Sequence, residues 1–301
     1  MNILITGIHG FVGTNLVTVL KAKYTIYGLD IVSLKKDGIV KTFLWDELQN
    51  IPNIDIVIHA AGKAHFVPKT EVEKQSFFDI NYQLTVNLCK VLKETCNYPK
   101  SFIFISTVAV YGCDFGENIT EEHPLNGNTP YALSKIQAEQ FLTDWCKNNN
   151  VILSIIRPSL IAGSNPQGNL QSMIKGIKAG KYYSVAGGKA KKSILMVQDI
   201  ANLVPLLAKK GGIYNVCDDE QPTFFQLENL ISKQLCRKRP LSIPLWLAKI
   251  FALIGDLFGT KAPINSLKLK KITESLTFSN KKAKKELCWK PLNVLENFEI
   301  F

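Results

Sequence analysis

Three groups of residues have types and spacings that could do chemistry. Gly7, Gly10 and Gly13 stand three apart in "ITGIHGFVG". Before them, Ile3, Leu4 and Ile5 read as a short strand; after them, Phe11, Leu16, Val19 and Leu20 fall on one side at helical spacing. Glycines at such a turn allow unusual dihedrals and let an anion approach the first N–H groups of the helix, as a dinucleotide pyrophosphate does. A tight turn with no ligand is the alternative. In "PYALSK", Tyr131 and Lys135 lie one helical turn apart. An ammonium there favours phenolate, lowering a pKa of about 10, and such a tyrosine can move a proton to or from a carbinol. Taken alone, the pair could equally be surface decoration. Ser106 and Thr107 end the apolar run "SFIFIST". Either hydroxyl could hold a substrate oxygen, or merely close a strand.

The elements that must position these groups alternate. "TIYGLD" and "IDIVIHAAG" read as strands, and "VEKQSFFDINYQLTVNLCKVLKETC" as a long amphipathic helix. "SFIFISTVAVYG" is a further strand, "PYALSKIQAEQFLTDWCKNN" a helix with Pro130 near its start, and "VILSIIRP" another strand. This alternation predicts an α/β fold with a parallel sheet covered by helices on both faces, ligands lying beyond the carboxyl ends of the strands. Asp30 ends the second strand. A carboxylate there can accept hydrogen bonds from both ribose hydroxyls and repel a 2′-phosphate, which favours NAD, with NADP the lesser expectation. Beyond Pro158 the pattern loosens. We expect a dinucleotide-binding domain over 1–165, with a segment near 193–217 returning to it, and a smaller substrate domain over 166–301.

Together these residues resemble the extended short-chain dehydrogenase/reductase family. The glycine phrase is Thr6-Gly7-Ile8-His9-Gly10-Phe11-Val12-Gly13. His59-Ala60-Ala61-Gly62 follows, then Asn81 in "DINYQLT", Thr107 five residues before Gly112, Tyr131, Lys135, and the Arg157-Pro158 pair. Even "ELCWKP" matches that family's C-terminal phrase, so the resemblance covers nearly the whole chain. It implies a Rossmann-type doubly wound sheet with a smaller C-terminal α/β substrate domain, and a nucleotide-linked sugar as substrate. Tyr131 is implied as acid/base. Lys135 would lower its pKa and hold the nicotinamide ribose, and Thr107 would orient the reacting oxygen. NAD would be held by Gly7, Gly10, Phe11, Val12, Gly13, Asp30, Ala60, Ala61, Gly62, Asn81, Tyr131, Lys135 and Pro158. His65, Thr107, Asn169 and Lys192 are the substrate candidates.

Within that family, dehydratases follow the threonine with an Asp-Glu pair that supplies acid and base. Here Val108 and Ala109 stand in those places and cannot exchange protons. The expectation is a 4-epimerase acting on a UDP-hexose or UDP-N-acetylhexosamine in surface-polysaccharide synthesis. The runner-up is a reductase of a UDP-4-keto-6-deoxy-hexosamine, and a reading of another class is a non-catalytic NAD-binding interaction protein. A homodimer through helices near 76–96 and 130–147 is also implied.

Bulk properties narrow the partners. The 301 residues carry a formal charge of +11, with 46% hydrophobic and 20% charged residues, as in a globular protein with an anionic partner. Neither an aromatic single-strand platform nor a helix-turn-helix pattern is visible, so nucleic acid is not expected. The seven cysteines include no C-x-x-C pair, which points to reduced thiols and no metal site. With no secretory signal in front of the first strand, the expected location is the cytoplasm. Residues 241–259, "LSIPLWLAKIFALIGDLFG", are apolar except for Lys249 and Asp256. A helix packed on the core or on a second subunit is favoured there over peripheral contact with a membrane.

Overall fold

The computed structural model describes residues 1–64, 66–258 and 264–300. The first part of the chain alternates as expected: β1 (Asn2–Thr6), α1 (Phe11–Leu20), β2 (Thr25–Asp30), β3 (Lys41–Leu44), β4 (Ile56–His59), α2 (Glu71–Phe78), α3 (Leu84–Glu94), β5 (Ser101–Ile105), β6 (Gly116–Ile119), α4 (Pro130–Asn148) and β7 (Ile152–Pro158). The remainder comprises β8 (Leu160–Ala162), α5 (Gly168–Lys178), β9 (Ser184–Val185), β10 (Ile194–Met196), α6 (Val197–Lys210), β11 (Gly212–Val216), α7 (Phe224–Gln234), β12 (Ser242–Ile243), α8 (Leu245–Asp256), α9 (Ser266–Thr273), β13 (Leu276–Phe278), α10 (Lys281–Leu287) and α11 (Val294–Asn297).

Seven strands form one parallel sheet in the order β3-β2-β1-β4-β5-β7-β11. Strand alternation sorts its side chains onto two cores. Ile3, Ile5, Ile58, Ile103 and Ile105 face α1 and α6, whereas Leu4, Val57, Phe102 and Phe104 face α3 and α4. Apolar residues on both faces are what a sheet covered twice requires. The strand order reverses between β1 and β4, and this switch point opens a crevice at their carboxyl ends. Strand β11 pairs with β7, and α6 packs on the same face of the sheet as α1. In addition, Ala283, Leu287 and Trp289 pack into the same core as α1.

The smaller region is built from short pieces, with β8 beside β10, β9 beside β12 and β6 beside β13. Its core gathers Leu170, Met173, Ile174, Leu227, Ile231 and Phe298 from α5, α7 and the last residues described. The helix expected near 72–96 has an interruption: Asp79–Gln83 forms one π-helical turn between α2 and α3. In the stretch 241–259, Gly259 lies outside the described residues. Its helix, α8, buries only Ala248, Ala252 and Gly255 and leaves its large apolar residues outside. No helix among the described residues is long and apolar enough to cross a membrane.

Candidate active site

Gly7 follows β1 with φ +64°, a conformation that disfavours any side chain, and its N–H donates to Leu29 O at 2.8 Å. A Cβ at Gly7 would lie 2.8 Å from Ala61 Cα, so the turns after β1 and β4 touch backbone to backbone. A Cβ at Gly13 would stand 2.3 Å from Gly7 O and 2.6 Å from Ile8 Cα. Gly13 therefore lets α1 sit against the turn. That helix begins at Phe11 with Gly10 as its cap, no side-chain cap bond and no acidic residue in its first turn. Its N-terminus is thus left to an anionic ligand. At the end of β2, Asp30 Oδ2 accepts from His9 N at 2.9 Å and Oδ1 from Ile31 N at 2.7 Å. Each oxygen keeps a second lone pair for a ribose hydroxyl. Glycine cradle, bare helix start and carboxylate suit NAD, and the carboxylate opposes a 2′-phosphate.

Behind the cradle runs a hydrogen-bond chain whose direction can be assigned. Ala61 N donates to Thr6 Oγ1 (3.0 Å), which meets His59 Nδ1 at 2.7 Å. His59 Nε2 meets Thr85 Oγ1 at 2.8 Å, and Thr85 donates to Asn81 O at 2.9 Å. Because the Thr85 proton is committed to Asn81, His59 carries its own proton on Nε2 and accepts from Thr6 on Nδ1. Complete burial, with Lys135 nearby, drives the His59 pKa down to about 3, so the ring is neutral. The chain ends at the π-helical turn, a local widening often found at functional sites. There Asn81 is fully buried and clamps Lys63: its Oδ1 accepts from Lys63 N at 2.7 Å, and its Nδ2 donates to Lys63 O at 3.1 Å. The same Nδ2 reaches Ser134 Oγ at 3.0 Å, and Ser134 donates to Tyr131 O at 2.9 Å. Asn81 thus spends its side chain holding other residues in place.

The reacting groups converge on the end of β5. Thr129 caps α4 by accepting from Ala132 N at 3.2 Å, and Pro130 begins the helix. Tyr131 and Lys135 then face the sheet, one turn apart. Tyr131 lies beside Thr107, and its ring meets Phe77 edge-on with centroids 6.2 Å apart. Lys135 Nζ donates to Ile105 O at 2.9 Å and lies 4.6 Å from the centre of the Phe104 ring. A Cβ on Gly62 would come 3.3 Å from that Nζ and 2.9 Å from Asn81 Oδ1, which explains a glycine in that place.

Burial pushes the Tyr131 phenol above its ordinary value, and Thr107 pulls it back in part. Desolvation dominates in this cleft and also brings Lys135 down to about 8 against the opposing pull of Glu139.

Ser106 and Thr107 take different directions. Ser106 donates to Glu139, which also grips Arg157 through Nε at 3.1 Å. Arg157 Nη1 donates to Tyr111 at 3.0 Å, and Tyr111 donates to Asn215 at 2.6 Å. This buried network fixes β7, β11 and α4 behind the site. Thr107 instead caps the short turn Val108–Tyr111, accepting from Ala109 N at 3.1 Å, and turns toward Tyr131. Pro158 ends β7 and Phe11 and Val12 open α1, as the sequence suggests. Asn169 is exposed in the first turn of α5. Lys192 Nζ donates to Glu274 O at 3.1 Å, and burial brings its pKa to about 8. His65 lies outside the described residues. The sequence reading passed over Ser134, Thr85 and Phe77. Ser134 stood within "YALSK", the phrase already singled out, whereas Thr85 and Phe77 had only ordinary helical spacing.

The NAD dependent epimerase/dehydratase family matches residues 3–217. Among curated relatives, the N-acetyl-alpha-D-glucosaminyl-diphospho-ditrans,octacis-undecaprenol 4-epimerase of Escherichia coli O157:H7 is 28% identical over 302 residues, covering 92% of this chain and 87% of the relative. The UDP-glucose 4-epimerase of Vibrio cholerae is also 28% identical, covering 98% of this chain and 92% of the relative. A UDP-glucose 4-epimerase of Thermotoga maritima, solved with UDP-glucose, shares the fold with a TM-score of 0.73 over 98% of this chain and 96% of its own, at 20% identity. The chain belongs to the NAD dependent epimerase/dehydratase family, an NAD(P)-dependent enzyme of the extended short-chain dehydrogenase/reductase type whose cofactor is NAD.

Proposed function

We propose that the protein is a 4-epimerase that inverts C4 of a hexose or N-acetylhexosamine carried on a diphosphate. The observation that carries this reading is Tyr131 held against Thr107 beside a buried Lys135, with no proton-exchanging side chain at Val108 or Ala109. NAD, when bound, supplies the hydride acceptor. Thr107 orients O4, and Tyr131, in the phenolate form that the Lys135 ammonium favours, takes the O4 proton as the C4 hydrogen departs with its electron pair, leaving a ketone. After the ketone turns over in the site, the hydride returns to the opposite face of C4 and Tyr131 returns the proton to O4, which completes the inversion. Water elimination would need a further acid and base where Val108 and Ala109 stand, so dehydration is set aside.

The named relatives support C4 as the reacting carbon. The Escherichia coli relative's name places the inversion on a sugar joined through diphosphate to undecaprenol, and the Vibrio cholerae relative's on UDP-glucose. Tyr131 and Thr107 would do the same work whichever group ends the diphosphate. A second reading, 4-keto reduction, needs the same three side chains, and a GDP-6-deoxy-D-mannose reductase of Pseudomonas aeruginosa is 28% identical over 247 residues. NMR of the purified protein with UDP-N-acetylglucosamine and no added cofactor separates the two. A new galacto anomeric signal is the expected result. No change, followed by NADH consumption with a 4-keto-6-deoxy sugar, would establish the reductase instead.

A further inference from the structure

Helix α8 has its large residues on the wrong side for a helix that belongs to a core. The face that packs on α9 consists of Ala248, Ala252 and Gly255, joined there by Val185 and Leu269. The opposite face carries Trp246, Ile250, Leu253 and Ile254, with Leu257 and Phe258 just beyond the helix. Leu253 is 65% exposed, Trp246 65% and Leu257 84%, so this is a continuous apolar stripe and not scattered single residues. The two charged residues of the helix sit at its flank. Of these, Asp256 is engaged at the start of α9, where Oδ1 accepts from Ser266 N at 2.9 Å and Oδ2 from Ser266 Oγ at 2.6 Å. Exposed cationic residues stand on the helix and before it in the chain: Lys249 on α8, and Arg237 and Lys238 ahead of β12.

Charge decides between the two occupants that could cover such a stripe. A second copy docked through the same face would bring a second set of these cations into one interface, adding like charge to like charge. A bilayer with anionic head groups would pair with them. The helix is 12 residues long, about 18 Å, too short to span a membrane but suited to lying in its surface plane. Trp246 suits that depth, its ring apolar and its N–H near water. Beneath α8, α9 reaches the loop after Tyr111 through Lys271 to Asp114 at 3.1 Å and Lys270 over the Phe115 ring at 4.2 Å.

We propose that α8 docks in the head-group layer of an anionic bilayer and there presents the cleft to a hexose whose diphosphate is carried on a membrane lipid. The lipid-carrier half rests on the epimerase reading above; the docking half stands on α8 alone.

The test is sedimentation of the full chain with phosphatidylglycerol-containing vesicles and with phosphatidylcholine vesicles. Binding to the first and not the second is expected, weakening as salt rises. The exposed double variant Trp246→Gln, Leu253→Gln should lose at least about tenfold in partitioning, with turnover of soluble UDP-N-acetylglucosamine unchanged. Arg237→Gln and Lys238→Gln should each lose about fivefold. Undecaprenyl-diphosphate-linked N-acetylglucosamine placed in the vesicles should be epimerised by the wild type and more slowly by the double variant. Equal vesicle binding by wild type and double variant overturns the docking, as does a double variant that turns a dimer into a monomer without changing vesicle binding, which assigns the stripe to a second copy. A chain that binds vesicles and epimerises UDP-N-acetylglucosamine but leaves the lipid-linked sugar untouched overturns the lipid-carrier half. A chain that binds vesicles and epimerises neither sugar strikes the epimerase reading and leaves the docking standing.

Discussion

Lys135 shows at the scale of one residue how this site sets function against stability. Its ordinary pKa of 10.5 is brought to about 8 by burial. Below pH 8 the folded protein therefore bears the full cost of a desolvated charge. Between pH 8 and 10.5 the folded state releases a proton that the unfolded chain still holds, so that cost fades as pH rises. Lys135→Met should abolish turnover yet stabilise the fold at pH 7 by about 1–2 kcal/mol, after allowing for the lost bond to Ile105. That advantage should shrink between pH 8 and 10.5, as followed by thermal melting of both proteins. A methionine variant less stable than wild type at pH 7 would mean that the ammonium is a net stabiliser. The positions of Tyr131 and Lys135 were legible in their spacing. The direction of the Tyr131 shift was not, because it depends on how much water the cleft excludes, and residue type alone does not encode that.

At the scale of elements, the glycine turn was readable because steric necessity leaves few substitutes. Gly13→Ala would put a methyl group 2.3 Å from Gly7 O, and relief requires lifting α1 from the sheet. We expect it to cost about 1–3 kcal/mol of stability and to strip NAD from the purified protein, which absorbance and melting would report. Retention of NAD with an unchanged melting temperature would contradict the packing role given to Gly13. The π-helical turn at Asp79–Gln83 was not readable. One extra residue in a turn leaves the flanking helical pattern intact, and its sole trace is Asn81 among residues that otherwise read as helix. His59 was visible only as part of a family phrase; its two threonine partners come from β1 and α3, far apart in sequence.

For the whole molecule, the parallel sheet followed from continuous apolar runs such as "IVIH" and "SFIFI". The smaller region did not, because its strands β8, β9, β10, β12 and β13 span two or three residues each, too few to show a period. The orientation of α8 was hidden for a different reason: a helix apolar nearly all round does not declare which side it buries. The helices α2, α3 and α4 lie together on one face of the sheet, where Tyr82 meets Phe141 edge-on with centroids 6.3 Å apart. A homodimer through α3 and α4 is the expected assembly. Sedimentation as a monomer at micromolar concentration would contradict it.

Trp289 is only 6% exposed and packs in one cluster with Ile3, Leu16 and Leu20. Synthesis on a ribosome makes the β1–α1 unit long before the indole that closes its core. The core over α1 therefore stays incomplete until Trp289 has been added. The nascent chain must carry an unfinished apolar cleft past α4 and through all of the smaller region, which raises its contact order and its demand for chaperones.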